Sequence, residues 1–267
     1  MTATMTAPVT AAITQPYLFP YIGYFQLIAA ADEFVIYDTV KYTKKGWINR
    51  NRFLRDGEPV TFTLPLEKDS DHLDIRERRV AAGFEPDRLC AQIAQAYRHA
   101  PHRRETMPLV EEVLGYESAD LFDHLRHGLL RTCAHLAIAT PIRTASAIEG
   151  ATDLRRQDRV IDLCERLGAA TYVNPIGGTS LYDPAAFAQR GIALRFLRAR
   201  PFVYPQGPHP FVPWLSILDV LMFNPRSALA ALLAGGYDLI EAEDAPCPAG
   251  ASSAASSIPR ASAAAPG

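Results

Sequence analysis

The chain has 267 residues, of which 48% are hydrophobic and 21% are charged. A chain of this length and composition can bury a sizeable core, so we expect one large or two small soluble domains. Its net charge of −2 excludes a general attraction to nucleic acid or to an anionic membrane. Any anion-binding site must therefore be local.

The ends of the chain and its cysteines predict a cytoplasmic protein. Residues 1–10 lack the basic and apolar regions of a secretory signal, so we expect a disordered leader. The tail, 241–267, is rich in Ala, Ser, Pro and Gly and is also expected to be disordered. Cys90, Cys133, Cys164 and Cys247 are far apart and lack zinc-site spacing, which is typical of free thiols in a reducing compartment.

One apolar stretch raises the question of membrane insertion: ITQPYLFPYIGYFQLI, residues 13–28. A spanning helix needs about 20 apolar residues, and Pro16, Pro20 and Gly23 interrupt this stretch. We therefore expect no membrane span.

In chain order, the hydrophobic patterns first predict a β-loop-α-β unit. Its strands lie at 11–14 and 33–38 with a helix at 23–32, and such a crossover implies parallel strands. A basic connection leads to a further strand at 61–66. From about 85 to 140 the pattern is helical, and the segment 118–136 carries a core-facing stripe of Leu121, Phe122, Leu125, Leu129, Cys133 and Leu136.

A second unit of the same kind follows, after an extended piece at 142–148. It has a helix at 158–169 closed by Gly168, a strand at 171–175, a short helix from Pro184 and a strand at 192–197. Two apolar helices are predicted at 211–224 and 225–237. The whole predicts an α/β fold, Rossmann-like, with a mostly parallel sheet in one domain (11–240) and a helical layer or subdomain at about 85–140.

The first candidate site is the loop QPYLFPYIGY, between the first strand and the first helix. Two prolines stiffen it, Gly23 permits close approach of a ligand, and a helix N-terminus can bind an anion. Packing over the sheet edge is an equally good interpretation of its rings. The candidate ligand contacts are Gln15, Tyr17, Tyr21, Gly23 and Tyr24.

The second candidate site is KYTKKGWINRNRFLR (41–55), which concentrates positive charge in a slightly acidic chain. Arginine and lysine recognise phosphate or carboxylate, and a tryptophan offers a stacking face. A solvated charged turn is the alternative, and one basic patch without a nucleic-acid module is weak evidence for nucleic-acid binding. The candidate residues are Lys41, Lys44, Lys45, Trp47, Asn49, Arg50, Asn51 and Arg52.

Three further groups contain candidate site residues. Asn174, Gly177 and Gly178 follow a strand and could cradle a substrate or form an ordinary tight turn. Tyr204 and Gln206 lie in a proline-rich loop before a helix whose Asp219 we expect to brace a neighbour. Asp38, at the end of its strand, is the candidate general base or ligand of a metal-bound nucleotide.

His124, His127 and His135 share one helix face and are expected to be solvated, so no metal site is predicted.

The sequence resembles the WbqC-like protein family over about residues 11 to 240. The resemblance rests on ITQPYLFPYIGYFQLI, DEFVIYDTVKYTKKGWINRNRF, TFTLPL, YVNPIGGTSLY and FVPWLSILDVLMFN. Many members carry histidine, in an H-Q-P opening, where this chain has Thr14, so no acid–base role passes to that position. The resemblance implies a place in O-antigen, other surface-polysaccharide or specialised-metabolite biosynthesis, with a glycine (aminoacyl) transferase role.

A second similarity concerns the first loop and helix. Their order is similar to the HIGH-type signature of nucleotidylyltransferases and class I adenylate-forming enzymes, with Tyr21 and Tyr24 in place of its histidines. Tyrosine donates one hydrogen bond but carries no positive charge, so the HIGH chemistry does not transfer intact.

These observations lead to one expected function and one alternative. The first is a transferase or ligase that attaches an amino acid (glycine-type) or small acyl unit to a sugar or metabolite, with Asp38, Lys44 and Arg50 as catalytic residues. The alternative is a non-catalytic module that binds a sugar nucleotide or carrier protein. The expected partners are a small-molecule or sugar-nucleotide substrate and an acyl or aminoacyl carrier protein, without nucleic acid. The cofactor is open, with ATP and Mg²⁺ as the candidate.

Overall fold

The computed structural model describes residues 8–150 and 153–245. Most of the predicted leader, most of the predicted tail and Cys247 lie outside these ranges. The first strand already begins at Val9, inside the stretch predicted to be a leader.

Eight strands and eight helices form the described part of the chain. The strands are β1 Val9–Thr14, β2 Glu33–Ile36, β3 Arg50–Arg55, β4 Glu58–Thr63, β5 Ile142–Thr144, β6 Ala169–Pro175, β7 Ala193–Ala199 and β8 Tyr237–Glu241. The helices are α1 Ile22–Ala29, α2 Pro86–Ala96, α3 Arg103–Leu114, α4 Leu121–His135, α5 Arg156–Leu167, α6 Pro184–Ala188, α7 Ile217–Phe223 and α8 Arg226–Gly235.

Six strands form one sheet in the order β5-β2-β1-β6-β7-β8. Every neighbouring pair is parallel except β7 and β8, which are antiparallel. The predicted α/β, Rossmann-like and mostly parallel sheet is thus confirmed, and the strand order reverses direction between β1 and β6. Ligands of open α/β sheets bind at such a switch point, outside the carboxyl ends of the strands.

Both faces of the sheet are covered by helices. Successive strand residues point to opposite sides, so each strand contributes to two separate cores. Ala12 and Phe34 face a larger core that contains residues of α1, α2, α3, α4, α7 and α8. Ile13 and Val35 face a smaller core that contains residues of α5 and α6. The helices α2, α3 and α4 lie in the region predicted to be helical and share the larger core with α1.

The basic segment, predicted to be a connection, contains the strand β3. β3 and β4 form a two-stranded antiparallel hairpin, joined by Asp56 (φ 53°) and Gly57 (φ 81°). Two positive φ values are what a type I′ turn requires, and Asp-Gly is a preferred pair for it. The alternation of β3 places Arg50 and Arg52 on one side of the hairpin and Asn51 on the other.

Two predictions at the C-terminal end of the fold were wrong. The helix predicted over 211–224 begins only at Ile217, where Ser216 is the N-cap and accepts a hydrogen bond from the N–H of Leu218. The stretch predicted to end a helix at 237 instead starts β8, which pairs with β7.

The predicted solvated histidine face was also wrong for His124, whose exposed fraction is 1%. Its ring packs edge-on against Phe84 and Tyr116. Within the described ranges, none of the helices combines the length and the hydrophobicity that crossing a membrane requires.

Candidate functional site

The loop between β1 and α1 lies at the switch point and is fixed by hydrogen bonds to two other segments. The N–H of Leu18 donates to the carbonyl of Ile48 (2.9 Å). The Asn51 side chain donates to the carbonyls of Leu18 (3.1 Å) and Phe19 (2.7 Å), and the Ser216 hydroxyl also donates to Phe19 (2.8 Å). Asn51, predicted to contact substrate, therefore holds the loop.

Phe19 has a backbone conformation that is unusual for a bulky residue, with φ 43°. Such strain persists only where the surrounding structure overdetermines it, and it is common at binding sites. The three hydrogen bonds from Asn51 and Ser216 to the loop supply that constraint.

The close approach predicted at Gly23 exists, but its partner is a side chain of the protein. A Cβ atom added at Gly23 would lie 2.3 Å from Cε2 and 2.8 Å from the hydroxyl of Tyr21. The Tyr21 ring thus covers the first turn of α1. In this conformation the turn is not open as a phosphate-binding turn of the HIGH type would be.

Tyr24, the other tyrosine in that comparison, is buried. Its ring packs edge-on against Phe25 and Phe34, and its hydroxyl donates to the carbonyl of Gln15 (3.0 Å). Burial raises the pKa of Tyr24 well above its usual value and that of Tyr21 to about 12. Both phenols therefore stay protonated at neutral pH, and Tyr24 has a packing role.

Gln15 and Tyr17 form a pair at the same edge of the sheet. The Gln15 amide donates to the Tyr17 hydroxyl at 2.6 Å, and the Tyr17 ring packs edge-on against Tyr24. Burial raises the pKa of Tyr17, which the hydrogen bond from Gln15 partly offsets. Both residues are half-buried, so they remain candidates for contact with a ligand.

Two arginines and a tryptophan form the basic face of the hairpin. The guanidinium carbons of Arg50 and Arg52 lie 5.6 Å and 5.2 Å from the centre of the Trp47 ring. Arg50 also donates to the carbonyls of Gly46 (2.9 Å) and Lys45 (2.6 Å). Trp47, predicted to stack on a ligand, is thus engaged by the two guanidinium groups through cation–π contacts.

Arg52 connects this face to the segment before α7. Its Nη2 donates to the carbonyl of Trp214 at 3.2 Å, and the Trp214 ring packs edge-on against Tyr21. Trp214 has φ 61° and is therefore, like Phe19, a bulky residue in a strained backbone conformation. Burial lowers the pKa of Arg52, and its Nε is buried without a hydrogen-bond partner among the described residues.

The other polar residues of the basic segment have different positions. Lys44 pairs with Asp71 at 2.5 Å, and both side chains are largely exposed. Lys41 and Lys45 are exposed as well. The buried Asn49 donates to the carbonyl of Leu64 (2.7 Å) and accepts from the Tyr42 hydroxyl (2.8 Å), so it closes the base of the hairpin. The alternative of a solvated charged turn therefore fits the three exposed lysines. The ligand-binding role predicted for Arg50 and Arg52 stays a prediction.

Asp38 follows β2 at the same edge of the sheet but is closed to solvent. Its exposed fraction is 1%, and its Oδ1 accepts a hydrogen bond from the N–H of Ser146 (3.0 Å). In this conformation the carboxylate fixes the turn after β5. The candidate role as general base gains no support from this position.

The loop after β6 covers Asn174 rather than leaving it open. The Asn174 Oδ1 lies 3.1 Å from the Tyr172 hydroxyl, and a Cβ atom at Gly178 would lie 2.0 Å from Nδ2 of Asn174. Gly178 thus makes room for the amide, inside the short 3₁₀ helix Ile176–Leu181 that also contains Gly177. The Tyr172 hydroxyl is also 3.1 Å from that of Tyr182.

Next to this loop lies an open groove of about 720 Å³. It lies between residues 153–158, before and in the first turn of α5, and residues 180–183, after β6. Arg155, Arg156 and Tyr182 are among its lining residues. Ligand-binding clefts of proteins commonly have volumes of about 300–1,000 Å³, so the groove can accommodate a ligand the size of a sugar.

Tyr204 and Gln206, predicted to bind substrate, are buried around Asp219. The Asp219 carboxylate accepts hydrogen bonds from Tyr97 (2.8 Å), Tyr204 (2.7 Å) and Gln206 (2.6 Å). Burial raises the pKa of Asp219, and these hydrogen bonds lower it in part. The carboxylate has the bracing role expected from the sequence, and substrate contact by Tyr204 and Gln206 gains no support.

The cysteines within the described ranges are unpaired and poorly suited to nucleophilic attack. Burial raises the pKa of Cys90 to about 11 and those of Cys133 and Cys164 to about 12. The reactive form of a cysteine is the thiolate, which is scarce at such pKa values. Residues 8–150 and 153–245 also contain no group of three or more His, Cys, Asp and Glu arranged to hold a metal ion.

Comparison with known proteins identifies the relatives of this chain. The model of the WbqC-like protein family matches residues 15–231. The chain belongs to the WbqC-like protein family. A Mycobacterium tuberculosis relative, named Uncharacterized protein Rv1507c, is 31% identical over 216 residues, which cover 80% of this chain and 92% of the relative. No solved structure matches the chain. The range matched to the WbqC-like family includes the β1–α1 loop, the hairpin and the loop after β6.

Sequence reasoning missed Trp214, Arg155, Arg156 and Tyr182. The apolar pattern predicts that Trp214 lies inside a helix. Pro213 and the N-cap Ser216 are the signals that place it in the preceding loop. The groove residues carry no local signal, because 153–158 and 180–183 meet only through the fold.

Proposed function

We propose that this WbqC-like protein is a transferase or ligase acting on an anionic substrate at the switch point of its sheet. It attaches an amino acid (glycine-type) or small acyl unit to a sugar or metabolite acceptor, in surface-polysaccharide or specialised-metabolite biosynthesis in the cytoplasm. The part of this proposal that names the pathway rests on the family resemblance alone.

One observation carries the proposal: two arginines without a carboxylate partner lie on the hairpin whose Asn51 holds the loop at the carboxyl edge of the Rossmann-like sheet. Among the described residues, no Asp or Glu forms an ion pair with Arg50 or Arg52. Both guanidinium groups are instead held by backbone carbonyls. Fixed positive charge of this kind is suited to orienting the anionic group of a donor, which is a main part of catalysis in group transfer.

The proposal places the donor's anionic group at Arg50 and Arg52 and the acceptor in the groove beside Tyr182. It assigns no covalent thiol intermediate, because the pKa values of Cys90, Cys133 and Cys164 are raised. It also gives Asp38 a positioning role at the β5 turn in place of the base role. ATP with Mg²⁺ would be needed only if the amino acid is activated on the protein.

The test is to incubate the purified protein with amino acids, ATP and Mg²⁺, with and without sugar acceptors, and to measure the mass of the acceptor. The proposal predicts an acceptor heavier by one aminoacyl or acyl unit. Pyrophosphate exchange dependent on an amino acid would show that the protein makes an adenylate. Product formed only from a preactivated donor would show that it does not.

The burial of Asp38 and the raised pKa of the thiols favour one second candidate, a non-catalytic module that binds a sugar nucleotide or a carrier protein. This candidate predicts saturable ligand binding without turnover. Detection of a modified acceptor at a rate proportional to protein concentration would exclude it.

A further inference from the structure

We propose that Arg50 and Arg52 together bind a phosphate group, and we call this pair the clamp. The Trp47 ring packs against both guanidinium groups, and the backbone carbonyl of Trp214 holds Arg52. This inference rests on the proposed function and deepens it, because it names phosphate, rather than carboxylate, as the anionic group of the substrate.

The geometry of the strand supports a shared ligand. Residues i and i+2 of a β-strand point to the same side and are about 6.5–7 Å apart along it. Arg50 and Arg52 have this relation in β3, and the ring of Trp47 contacts both guanidinium groups. An anion placed over this face can therefore bind to both groups at once.

The charge of the face favours a dianion over a carboxylate. Arg50 and Arg52 have two positive charges, and neither forms an ion pair with an acid in the described part of the chain. The carboxylate of Asp71 pairs with Lys44 instead. One carboxylate would leave one charge without compensation, whereas a phosphate monoester or diphosphate matches both.

Donors remain available on fixed side chains. The hydrogen bond of Arg52 to Trp214 uses Nη2, and among the described residues the buried Nε has no hydrogen-bond partner. A buried guanidinium donor without an acceptor is costly, and an incoming phosphate oxygen removes that cost. Because backbone carbonyls already hold both arginines, little conformational freedom is lost when the anion binds.

The chain provides its own reporter for this site. It contains two tryptophans, Trp47 and Trp214, and both contact Arg52. Selective excitation of tryptophan therefore reports on the clamp in the unmodified full-length protein.

The experiment is a fluorescence titration with inorganic phosphate, pyrophosphate and acetate at constant ionic strength. We expect saturable changes with phosphate and pyrophosphate and weaker binding of acetate. Arg52→Gln should weaken pyrophosphate binding roughly tenfold or more, as the loss of a charge-assisted hydrogen bond does. Arg55→Gln removes the same charge from the exposed end of the same strand and should bind as the wild type does.

Three results would overturn the clamp: acetate binding as tightly as phosphate, equal weakening by Arg52→Gln and Arg55→Gln, or no saturable change with any phosphate. Should Arg52→Gln fail to fold by circular dichroism, Arg50→Gln provides the same comparison. Trp47→Leu leaves Trp214 as the reporter and should weaken binding severalfold without changing the charge. Unchanged affinity of Trp47→Leu would contradict the role of Trp47.

Further competition experiments distinguish two possible sources of the phosphate group. A nucleoside diphosphate represents a sugar nucleotide, and 4′-phosphopantetheine represents a carrier protein. Whichever competes with pyrophosphate more strongly identifies the source, and competition by neither contradicts the proposal. Phosphate binding without any turnover would overturn the proposed transfer but keep the clamp, whereas turnover without phosphate binding would overturn the clamp alone.

Discussion

The ring of Tyr21 lies against Gly23, so closely that a Cβ atom at Gly23 would be 2.3 Å from Cε2 of Tyr21. Gly23→Ala should displace the Tyr21 ring and destabilise the protein by about 1–3 kcal/mol, the usual cost of overpacking. The free energy of unfolding in urea measures this change.

Two controls separate crowding from a general effect of alanine. Gly83 has no atom within 4 Å of an added Cβ, so Gly83→Ala should leave stability almost unchanged. In a Tyr21→Ala background, Gly23→Ala should lose most of its cost, because the clashing ring is gone. An undiminished cost in that background would show that the ring contact is not the cause.

The Asp219 network predicts a large cost for a small change. Asp219→Asn places an amide NH₂ among donors from Tyr97, Tyr204 and Gln206, so at least one buried donor loses its acceptor. We expect a loss of about 2–4 kcal/mol in the free energy of unfolding. Asp238→Asn, in an exposed pair with Arg198 and Arg200, is the matched control and should have little effect. Equal effects of the two changes would refute the bracing role of Asp219.

The buried His124 should lower the free energy of unfolding in acid. Burial lowers the pKa of its imidazole from 6.5 to about 4 in the folded protein, so between these values the unfolded chain binds more protons. Stability from this residue is complete above pH 6.5 and is lost as the pH falls toward 4. The shift corresponds to about 3 kcal/mol.

The measurement is the free energy of unfolding of the wild type and of His124→Gln between pH 7 and pH 4. The variant should show a shallower decline than the wild type. The exposed His72→Gln is the control and should decline as the wild type does. A wild-type slope in His124→Gln would show that another group causes the decline.

The buried thiols predict slow alkylation. With pKa values of about 12, Cys133 and Cys164 have roughly one thiolate in ten thousand at pH 8. Peptide mass mapping after treatment with iodoacetamide should show both residues unmodified in the native protein and modified in urea. Rapid native labelling of either residue, with preserved fold, would contradict their burial.

Local signals in the sequence were sufficient for much of the fold. The crossover pattern predicts the parallel sheet, and Gly168 ends α5 in a left-handed conformation with φ 64°, as expected for a C-cap glycine. The Asp56-Gly57 pair is also a local signal, from which the β3–β4 hairpin can be predicted. The many charged residues of the segment instead favour a solvated connection.

The roles of the site residues depend on contacts that are distant in sequence. Asn51 looks like a ligand contact until its bonds to Leu18 and Phe19 are seen. The strand β8 has no strong pattern of its own and forms because β7 offers an antiparallel edge. Periodicity finds buried faces, but it does not reveal which polar group on another element a side chain reaches.

The most direct test of the central claim compares two arginine variants in the transfer assay. Arg52→Gln and Arg55→Gln remove the same charge from β3, but only Arg52 contacts both tryptophans. The rate at which mass spectrometry detects the aminoacylated or acylated acceptor should fall by roughly a hundredfold in Arg52→Gln, as loss of an electrostatic contact in group transfer does. It should stay near the wild-type rate in Arg55→Gln. A folded Arg52→Gln protein with the wild-type rate would contradict the placement of the active site.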